Sequence, residues 1–427
     1  MSAKIKQELI NPPRGTTDLL PNDFLYWDYF LSVINKYAGI YGFGKIETPI
    51  MEDTDLFVRS IGETTDIVEK EMFSFATRGG DKLTLRPEGT ASVARAYITN
   101  GMSKWSQPVK LFYVWPMFRY ERPQAGRRRQ FNQAGFEILG GGDPIFDAQI
   151  IQLCWTVFEK LKLKNIAIQI NSIGDAKCRS KYRSALVDYY RPRASKLCAN
   201  CRVRLAKNPL RLMDCKEEKC VLIRSSAPQT IDYLCQECHD HFKSVLEYLD
   251  EINLPYMLNP YLVRGLDYYT KTVFEFISEG DEYRQSSLGG GGRYDTLIEM
   301  LGGEPTPAVG VALGIERIVE KIKEANISLG KKVSAKVFLV QLCDLAKKKS
   351  FKLFNDLIEA GVPAMESFGR GSIKSQLRVA NRLKIKNVLI IGQKEALDNT
   401  VIIRDMESGT QEVADRAKII NIIRKKK

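Results

Sequence analysis

Residues 118–137 place the strongest constraint on the fold, because two apolar segments flank a polar, arginine-rich one. The flanking sequences VKLFYVWPMFRY and RQFNQAGFEIL are rich in β-branched and aromatic residues, and they predict two strands joined by a long hairpin loop. The loop contains Arg119, Glu121, the turn-forming sequence PQAG and three consecutive arginines at 127–129. Burying an unpaired charge costs several kcal/mol, so this density of guanidinium groups beside buried strands indicates an anionic ligand. A solvated basic hairpin is the alternative.

Composition limits the class of protein. At 427 residues the chain exceeds what one hydrophobic core supports, so we expect two or three domains. The formal net charge of +13 favours a polyanionic partner. No apolar run approaches the roughly 18 residues that span a bilayer, and MSAKIKQELI lacks a signal-peptide core, which predicts a cytoplasmic protein without membrane association. The nine cysteines are then expected as free thiols or metal ligands.

The chain changes character twice along the first three-quarters of its length. Residues 14 to about 175 are rich in strand signals and begin with an amphipathic helix over about 22–41. Residues 175–259 are helical and charged, and they hold seven of the nine cysteines. Strand signals return at YLVRGLDYYTKTVFEFIS and continue through the glycines at 289–292 into the helical GIERIVEKIKEA. We therefore predict an α+β fold in which a helical insertion divides one mainly antiparallel catalytic sheet.

A further domain is predicted beyond the polar linker ANISLGKKVSAK. The segments KVFLVQL, KSFKLFNDLIEAG, SIKSQLRVANRL and NVLIIGQ alternate between strand and helix, which is typical of a small α/β domain with parallel strands. The expected limits are 1–330 for the catalytic domain, 175–259 for the insertion within it, and 333–427 for the last domain.

Several strings resemble the signature sequences of one enzyme family. FRYE followed by Phe131 is similar to motif 2 of class II aminoacyl-tRNA synthetases, GVALGIER to their motif 3, and KIETPIME around Pro49 to their motif 1. LVRGLDYYT, TLRPEGTA and GGRYD resemble segments of histidyl-tRNA synthetases in particular. The resemblance extends from about Arg14 to the C-terminus, and it implies a class II catalytic domain followed by an anticodon-binding domain.

The resemblance also implies an activity and partners. Such an enzyme forms histidyl-adenylate from histidine and ATP with Mg²⁺, then passes the histidyl group to tRNA(His), and it acts as a homodimer in the cytoplasm. The main alternative is the non-catalytic paralogue that regulates ATP phosphoribosyltransferase, but such paralogues lack the anticodon-binding domain and lose the signature motifs. This chain keeps Arg119, Arg264 and Arg317 and about 95 residues beyond the linker. A stand-alone histidine sensor would need neither Arg317 nor that domain.

ATP has to be bound without a P-loop, because the sequence contains neither G-x4-G-K-[ST] nor the Rossmann glycine fingerprint. Arginines can hold a triphosphate instead, since their planar forks pair bidentately with phosphate oxygens. The resemblance implies that Arg119 contacts the α-phosphate and Arg127 the γ-phosphate region, with Glu121 also at the nucleotide. It implies that Arg317 stacks on the adenine and that Arg264 holds the α-phosphate from the opposite side, where other class II enzymes use a metal ion. Without the matched motifs, each of these arginines would more typically form an ion pair at the surface than bind phosphate.

Both histidines of the chain, His239 and His241, lie in the insertion, so no histidine base belongs to the matched motifs. Amino-acid activation needs none, because the nucleophile is the carboxylate of the substrate, which is already ionised at neutral pH. The reaction requires positioning and stabilisation of charge on the phosphoryl oxygens, which arginines and Mg²⁺ supply. Arg264 and Arg119 are the expected catalytic residues.

Selection of histidine requires hydrogen-bonding partners for the imidazole N–H groups and an anionic partner for the α-ammonium. The resemblance places Glu88, Thr90 and Gln133 near the ammonium, and Glu137 and Tyr269 towards the ring. A Tyr-Tyr pair on a strand is otherwise more typical of core packing. The expected histidine-binding residues are Glu88, Gly89, Thr90, Gln133, Glu137, Arg264, Tyr268, Tyr269 and Tyr294.

Two features of the sequence concern tRNA and the adenylate. In the hairpin loop, Gln124 and Arg129 are predicted to contact the acceptor end of the tRNA, including the extra 5′ guanosine of histidine tRNAs. The four glycines at 289–292 would ordinarily indicate a flexible loop, whereas the resemblance implies that their backbone approaches the adenylate closely.

The insertion contains cysteine pairs with the spacing of metal ligands. Cys198 and Cys201 form one C-x2-C pair, Cys235 and Cys238 another, and the gap of about 34 residues between them exceeds the usual ribbon spacing. We predict one structural Zn²⁺ held by these four cysteines, far from the nucleotide; cysteines placed fortuitously on helices are the alternative. Cys215 and Cys220 are the competing ligands. His239 and His241 could also coordinate, but their place at a predicted helix start favours solvent-facing positions, and Cys154 and Cys343 are predicted to be core residues.

Overall fold

The computed structural model describes residues 9–63, 65–123, 126–279, 287–327, 329, 335–369 and 372–426. The chain divides into two units, residues 1–328 and 329–427. The strands of the first unit are β1 (Gly44–Lys45), β2 (Met51–Asp53), β3 (Phe73–Ala76), β4 (Lys82–Leu85), β5 (Val109–Phe118), β6 (Gln130–Leu139), β7 (Ile166–Ser172), β8 (Met257–Leu258), β9 (Thr270–Ser278), β10 (Ser287–Arg293) and β11 (Ala308–Gly314).

Eight of these strands form one sheet in the order β1-β5-β6-β11-β10-β9-β7-β8, and β2, β4 and β3 form a small sheet beside it. In the large sheet, β1–β5 and β7–β8 are parallel, and the pairs between β5 and β7 are antiparallel. The prediction of a mainly antiparallel central sheet is therefore confirmed.

The predicted hairpin is the pair β5–β6. Its register is continuous from Val109 opposite Leu139 to Phe118 opposite Gln130. Alternate residues of β5 point into one core, where Tyr113 and Trp115 are fully buried, so the strand periodicity of two sets which side chains face that core. The arginine-rich loop begins at the open end of this hairpin.

Ten helices surround the sheets of the first unit in the described residues: α1 (Phe24–Ile40), α2 (Thr54–Ile61), α3 (Thr90–Thr99), α4 (Ile145–Lys160), α5 (Ala176–Tyr190), α6 (Ala199–Lys207), α7 (Glu218–Arg224), α8 (Gln236–Glu251), α9 (Leu297–Met300) and α10 (Ile315–Glu324). Helices α5 to α8 lie between β7 and β8 in the chain. Residues of α5, α6 and α7 share a small core that includes Tyr182, Leu186 and Tyr190. No helix among the described residues is long and apolar enough to cross a bilayer.

The sequence predicts a strand over YLVRGLDYYTKTVFEFIS, but β9 begins only at Thr270. The preceding residues are held in an irregular path by bonds from side chains. Asn171 donates to the carbonyl of Leu262 at 3.1 Å, and Arg179 donates to the carbonyl of Tyr269 at 3.1 Å. These partners satisfy backbone groups that a strand would use, so the chain can bend here.

A buried ion pair joins α4 to β10. The guanidinium of Arg293 donates to the carboxylate of Asp147, and both side chains are fully buried. Burial by itself would raise the pKa of Asp147, but the charge of Arg293 and a hydrogen bond from His241 hold that pKa below its ordinary value. Arg293 also bonds to the carbonyl of Gly141 at 2.9 Å, so one side chain connects the strand, the helix and the turn before it.

The second unit contains five strands and four helices in its described residues: β12 (Val337–Gln341), α11 (Asp344–Glu359), β13 (Ala364–Glu366), α12 (Ile373–Arg382), β14 (Asn387–Ile391), α13 (Gln393–Asp398), β15 (Thr400–Asp405), β16 (Gln411–Asp415) and α14 (Ile419–Lys425). The sheet order is β13-β12-β14-β15-β16.

The first three strands of that sheet are parallel, as predicted, and β15 and β16 extend the sheet in antiparallel fashion. β15 and β16 are joined by a short turn in which the Asp405 carboxylate accepts bonds from the N–H groups of Glu407 and Ser408 at 2.9 Å. A connection this short can join only antiparallel neighbours.

We expect Arg293→Met to destabilise the first unit by about 3–5 kcal/mol, because Asp147 would remain charged and buried without its partner. Urea denaturation followed by tryptophan fluorescence would measure this, since all four tryptophans lie before residue 328. The control is Lys243→Met, which removes an exposed pair with Glu247 and should cost less than about 1 kcal/mol. Equal midpoints for the two variants would contradict the structural role of the buried pair.

Candidate active site

A cavity of about 240 Å³ opens beside the middle strands of the large sheet. Strands β6, β10 and β11, residues 264–269 and the start of α10 contribute to its wall, so segments far apart in sequence meet there. Ten residues predicted from the sequence line it: Glu88, Thr90, Arg119, Glu121, Arg127, Gln133, Arg264, Tyr268, Tyr269 and Arg317.

Glu121 holds two of the arginines on one wall. Its carboxylate lies 3.9 Å from Nη1 of Arg119 and 3.3 Å from Nε of Arg127. Arg119 is further fixed by a bond from Nε to the carbonyl of Pro87 at 2.8 Å, and its guanidinium lies 5.3 Å from the ring centre of Phe131. Both arginines are thus oriented before any ligand is present, which lowers the entropic cost of binding one.

Arg264, from the segment before β9, is a further arginine of the cavity wall. Its Nη1 is 3.0 Å from Oε1 of Glu275, while its Nε is buried and has no hydrogen-bond partner among the described residues. A Cβ at Gly290 would lie 2.6 Å from Nη1, so the glycine provides the space that the guanidinium occupies. A buried donor without a partner is costly, and a bound oxygen would remove that cost.

Arg317, in the first turn of α10, ties the arginine loop to β10. Its Nη1 donates to the carbonyl of Ser287 at 2.6 Å, and its Nη2 donates to the carbonyl of Gly126 at 2.9 Å. Burial lowers the pKa of Arg317, and the positive charge of Arg127 lowers it further. The cavity therefore concentrates like charges that a polyanion would neutralise.

Glu88 and Thr90 lie at the N-terminus of α3. The Glu88 carboxylate accepts bonds from the N–H groups of Thr90 at 2.7 Å and Ala91 at 2.9 Å, and the hydroxyl of Tyr268 is 3.3 Å away. Burial raises the pKa of Glu88, and the backbone N–H groups oppose that shift. The helix terminus thus holds a carboxylate in a fixed orientation at the cavity wall.

Glu137 lies behind this wall and is fully buried. Three hydroxyl groups donate to it, from Tyr294 at 2.6 Å, Thr90 at 2.8 Å and Tyr113 at 3.4 Å. Burial raises the pKa of Glu137 to about 8, so the carboxyl group is mainly protonated at neutral pH. A Cβ at Gly310 would lie 1.6 Å from Oε2, which means that the carboxyl group fits only because residue 310 is glycine.

Gln133 and the tyrosines complete the polar side. The side-chain oxygen of Gln133 is buried and has no hydrogen-bond partner among the described residues. The ring centres of Tyr268 and Tyr269 are 4.7 Å apart, and Tyr268 packs edge-on against Tyr294 at 5.8 Å. Tyr268 and Tyr269 both belong to the core and line the cavity. The pair therefore packs in the core, as such pairs usually do, and is also available to a ligand.

A second, more polar cavity of about 550 Å³ adjoins the first. Arg119, Arg127, Arg264 and Arg317 line both cavities. The insertion contributes the outer wall through Met213, Asp214, Lys216 and Arg224.

Besides Glu137, three described residues of the predicted site are not on the cavity wall. Gly89 and Tyr294 pack behind it; a Cβ at Gly89 would lie 2.4 Å from the ring of Tyr113. The guanidinium of Arg129 lies 3.8 Å from the ring centre of Tyr120 and is not on the wall. Gln124 lies outside the described residues.

Two residues at the site were missed by the sequence analysis. Tyr113 reaches Glu137 from β5 and lies opposite Gly135 on β6, where a Cβ would be 2.1 Å from its ring. An aromatic residue aligned with a glycine across a predicted hairpin is a signal that could have found it. Glu275, the partner of Arg264, lies on β9 and has no comparable local signal.

The predicted zinc ligand set is wrong. Cys198 and Cys201 lie with Cys215 and Cys220, a group we call the tetracysteine cluster. Cys235 and Cys238 instead lie with Asp175 and Cys178, which we call the base cluster. Local spacing identified the pairs, but the packing of α8 against the start of α5 separates them. Neither histidine joins a cluster: His239 is exposed, and His241 is buried against Asp147.

The pH dependence of stability should report on Glu137. A raised pKa in the folded state means that its stabilising contribution is fully present below the unfolded pKa of about 4.3 and is lost as pH rises through about 8. Between pH 5 and 8, we expect the free energy of unfolding of the native protein to fall by about 1 kcal/mol per pH unit relative to Glu137→Gln. Urea denaturation at several pH values measures both; parallel pH profiles would show that Glu137 ionises normally.

Comparison with known proteins agrees with this geometry. The family model described as histidyl-tRNA synthetase matches residues 15–318, and the model described as anticodon binding domain matches residues 318–426. A histidine–tRNA ligase of Dehalococcoides mccartyi is 48% identical over 399 residues, covering 93% of this chain and 95% of that protein. One of Pelotomaculum thermopropionicum is 45% identical over 418 residues, covering 98% of each.

A solved structure extends the comparison to three dimensions. The structure of apo Staphylococcus aureus histidyl-tRNA synthetase has a TM-score of 0.80 and 35% sequence identity, and the match covers 98% of this chain and all of that one. Both units of the chain are thus accounted for by one kind of protein, and the chain belongs to the histidyl-tRNA synthetase family.

Proposed function

We propose that the protein is a histidine–tRNA ligase. The carboxylate of histidine attacks the α-phosphorus of ATP, forming histidyl-adenylate and releasing pyrophosphate. The histidyl group then passes to the 3′ end of tRNA(His), and AMP leaves. The single observation that carries the proposal is the convergence of four arginines and a buried acidic, hydroxyl-rich network on one cavity.

The arginines of the cavity wall come from three separate segments of the chain, so they could contact ATP at different phosphate groups. We assign Arg119 and Arg264 to the α-phosphate from opposite sides, Arg127 to the terminal phosphate and Arg317 to the adenine. Preorganised charge aimed at the phosphoryl oxygens stabilises the transition state without reorganisation at the moment of reaction. The unpaired Nε of Arg264 supports its assignment as a catalytic residue, since it needs an acceptor.

Mg²⁺ fits the same wall. It binds mainly to phosphate oxygens and takes one or two carboxylates from the protein. Glu121 is the carboxylate between Arg119 and Arg127, and it would supply such an oxygen. When bound, the ion neutralises charge on the phosphates.

Histidine would occupy the side of the cavity opposite the phosphates. We assign Glu88, Thr90 and Gln133 to the α-ammonium, with the unpaired Gln133 oxygen as one acceptor. Glu137, Tyr269 and Tyr294 then define the ring pocket, and the protonated Glu137 carboxyl can exchange donor and acceptor roles with an imidazole. A site whose buried polar groups require partners rejects side chains without matching N–H groups.

The chain carries a charge of +13, which suits a tRNA ligand. We propose that Arg129, with Gln124 of the same loop, contacts the acceptor end, and that residues 333–427 bind the anticodon.

We further propose a cytoplasmic homodimer. Exposed apolar residues on or beside the small sheet, including Ile50, Met51 and Phe75, suit burial in such an interface. The regulatory paralogue is less well supported, because the anticodon-binding match spans residues 318–426.

We expect Arg264→Ala to lower histidine-dependent pyrophosphate exchange by about 10²–10³-fold, the typical effect of losing one group that stabilises transition-state charge. The matched control is Arg416→Ala in the second unit, which also removes a mostly buried guanidinium paired with a carboxylate. That variant should exchange at close to the native rate. Near-native exchange by Arg264→Ala, or exchange with another amino acid at least as fast as with histidine, would overturn the proposal.

The loop variants Gln124→Ala and Arg129→Ala should separate the two half-reactions. If these side chains contact the tRNA, aminoacylation falls by at least about tenfold, which corresponds to 1.4 kcal/mol, while pyrophosphate exchange stays near its native rate. Single-turnover transfer from preformed adenylate gives the first quantity, and exchange gives the second. Equal losses in both assays would mean that the loop serves ATP alone.

A further inference from the structure

We infer that the insertion binds zinc at a tetrathiolate site formed by Cys198, Cys201, Cys215 and Cys220. The four sulfur atoms lie within 4.8 Å of one another. The inference goes beyond the proposed catalytic function, because the ligands are defined without reference to ATP, histidine or tRNA.

The distances match a shared metal ion. Tetrahedral Zn²⁺ with Zn–S bonds of about 2.3 Å places its sulfur ligands about 3.8 Å apart. The Sγ atoms of Cys198 and Cys215 are separated by 3.9 Å. A disulfide would need about 2.05 Å, and all four cysteines are free thiols.

The backbone prepares the sulfurs to carry negative charge. Cys198 caps the N-terminus of α6, and its Sγ accepts a bond from the N–H of Cys201 at 3.3 Å. The N–H of Cys198 in turn donates to Sγ of Cys220 at 3.3 Å. Such N–H···S bonds orient metal ligands and stabilise the thiolate form.

Cysteines occupy the most buried positions of the two short helices around the site. Among the residues of α6, the buried one is Cys201, and among those of α7 it is Cys220. Each helix adds only partly buried apolar residues to the core of the insertion, so a metal ion held by the buried cysteines would add to the stability of both helices.

The site also positions part of the outer cavity. Cys215 follows Met213 and Asp214 and precedes Lys216, and these three residues line the cavity that Arg264 and Arg317 also line. Arg224, in α7, donates to the carbonyl of Met213. Zinc therefore fixes the wall that faces the nucleotide arginines without touching the reacting atoms.

A separate set of contacts supports a second zinc at the base cluster of Asp175, Cys178, Cys235 and Cys238. The N–H of Cys235 donates to Sγ of Cys178 at 3.0 Å, and Sγ of Cys235 lies 3.9 Å from Oδ2 of Asp175. The cluster lies where α5 and α8 begin, so the positive ends of two helices favour thiolates there. Three thiolates and a carboxylate suit tetrahedral Zn²⁺.

Metal content of the full-length protein tests both sites. Elemental analysis after expression with added zinc and purification without chelators should give two equivalents per chain. Cys215→Ser with Cys220→Ser should lower this to one, and so should Cys178→Ser with Cys238→Ser. The control Cys343→Ser, in the second unit, should retain two. Zinc that is unchanged by one double substitution overturns that site, and the absence of zinc from the native protein overturns both.

Thiol titration of the native protein gives a result that does not depend on the folding of a variant. With zinc bound, a disulfide reagent should modify no more than two of the nine cysteines, and after chelation the seven cluster thiols should also react. Immediate reaction of the cluster thiols without release of metal would refute the sites. Pyrophosphate exchange on the same preparation tests the proposed function separately, so either conclusion can fail without the other.

Discussion

Glycines on two central strands make room for the cavity, because Gly289, Gly290 and Gly314 line its wall. A Cβ at Gly291 would lie 2.0 Å from the carbonyl oxygen of Gly310, so β10 and β11 can approach as they do only with glycine there. At Gly290 and Gly310 the space of a missing side chain is filled by Arg264 and by Glu137. A sheet that would otherwise be filled by apolar side chains thus holds a guanidinium and a carboxyl group in its interior.

The buried ionisable groups at the cavity are stabilised in two different ways. Glu121 and Glu275 each pair with an arginine that lines the cavity, which makes the burial of positive charge tolerable before a nucleotide binds. In contrast, Glu137 has no cationic partner among its hydrogen bonds and is kept neutral by burial and by hydroxyl donors. The same low dielectric strengthens each interaction with a ligand, so the proposed triphosphate and imidazole would favour different parts of the cavity.

The insertion differs from the catalytic sheet in the residues that it buries. The catalytic sheet is stabilised by a large apolar core and by the buried pair of Arg293 and Asp147, whereas α6 and α7 bury cysteines. A metal-dependent wall beside the nucleotide arginines would let the insertion keep a polar, charged surface towards the second cavity and still hold a defined shape. The helices of the insertion could then keep their arrangement without packing against the core of the catalytic sheet.

The sequence by itself determined the hairpin, the mainly antiparallel sheet, the insertion and ten of the residues on the cavity wall, because these depend on local periodicity and on short motifs. It could not reveal that Glu275 pairs with Arg264, that Glu137 is neutral, or that residues 262–269 leave the strand path. Nor could it group the cysteines, since C-x2-C spacing defines a ligand pair but not its partner pair. These properties depend on which distant segments the fold brings within a few ångströms, and only the tertiary structure decided them.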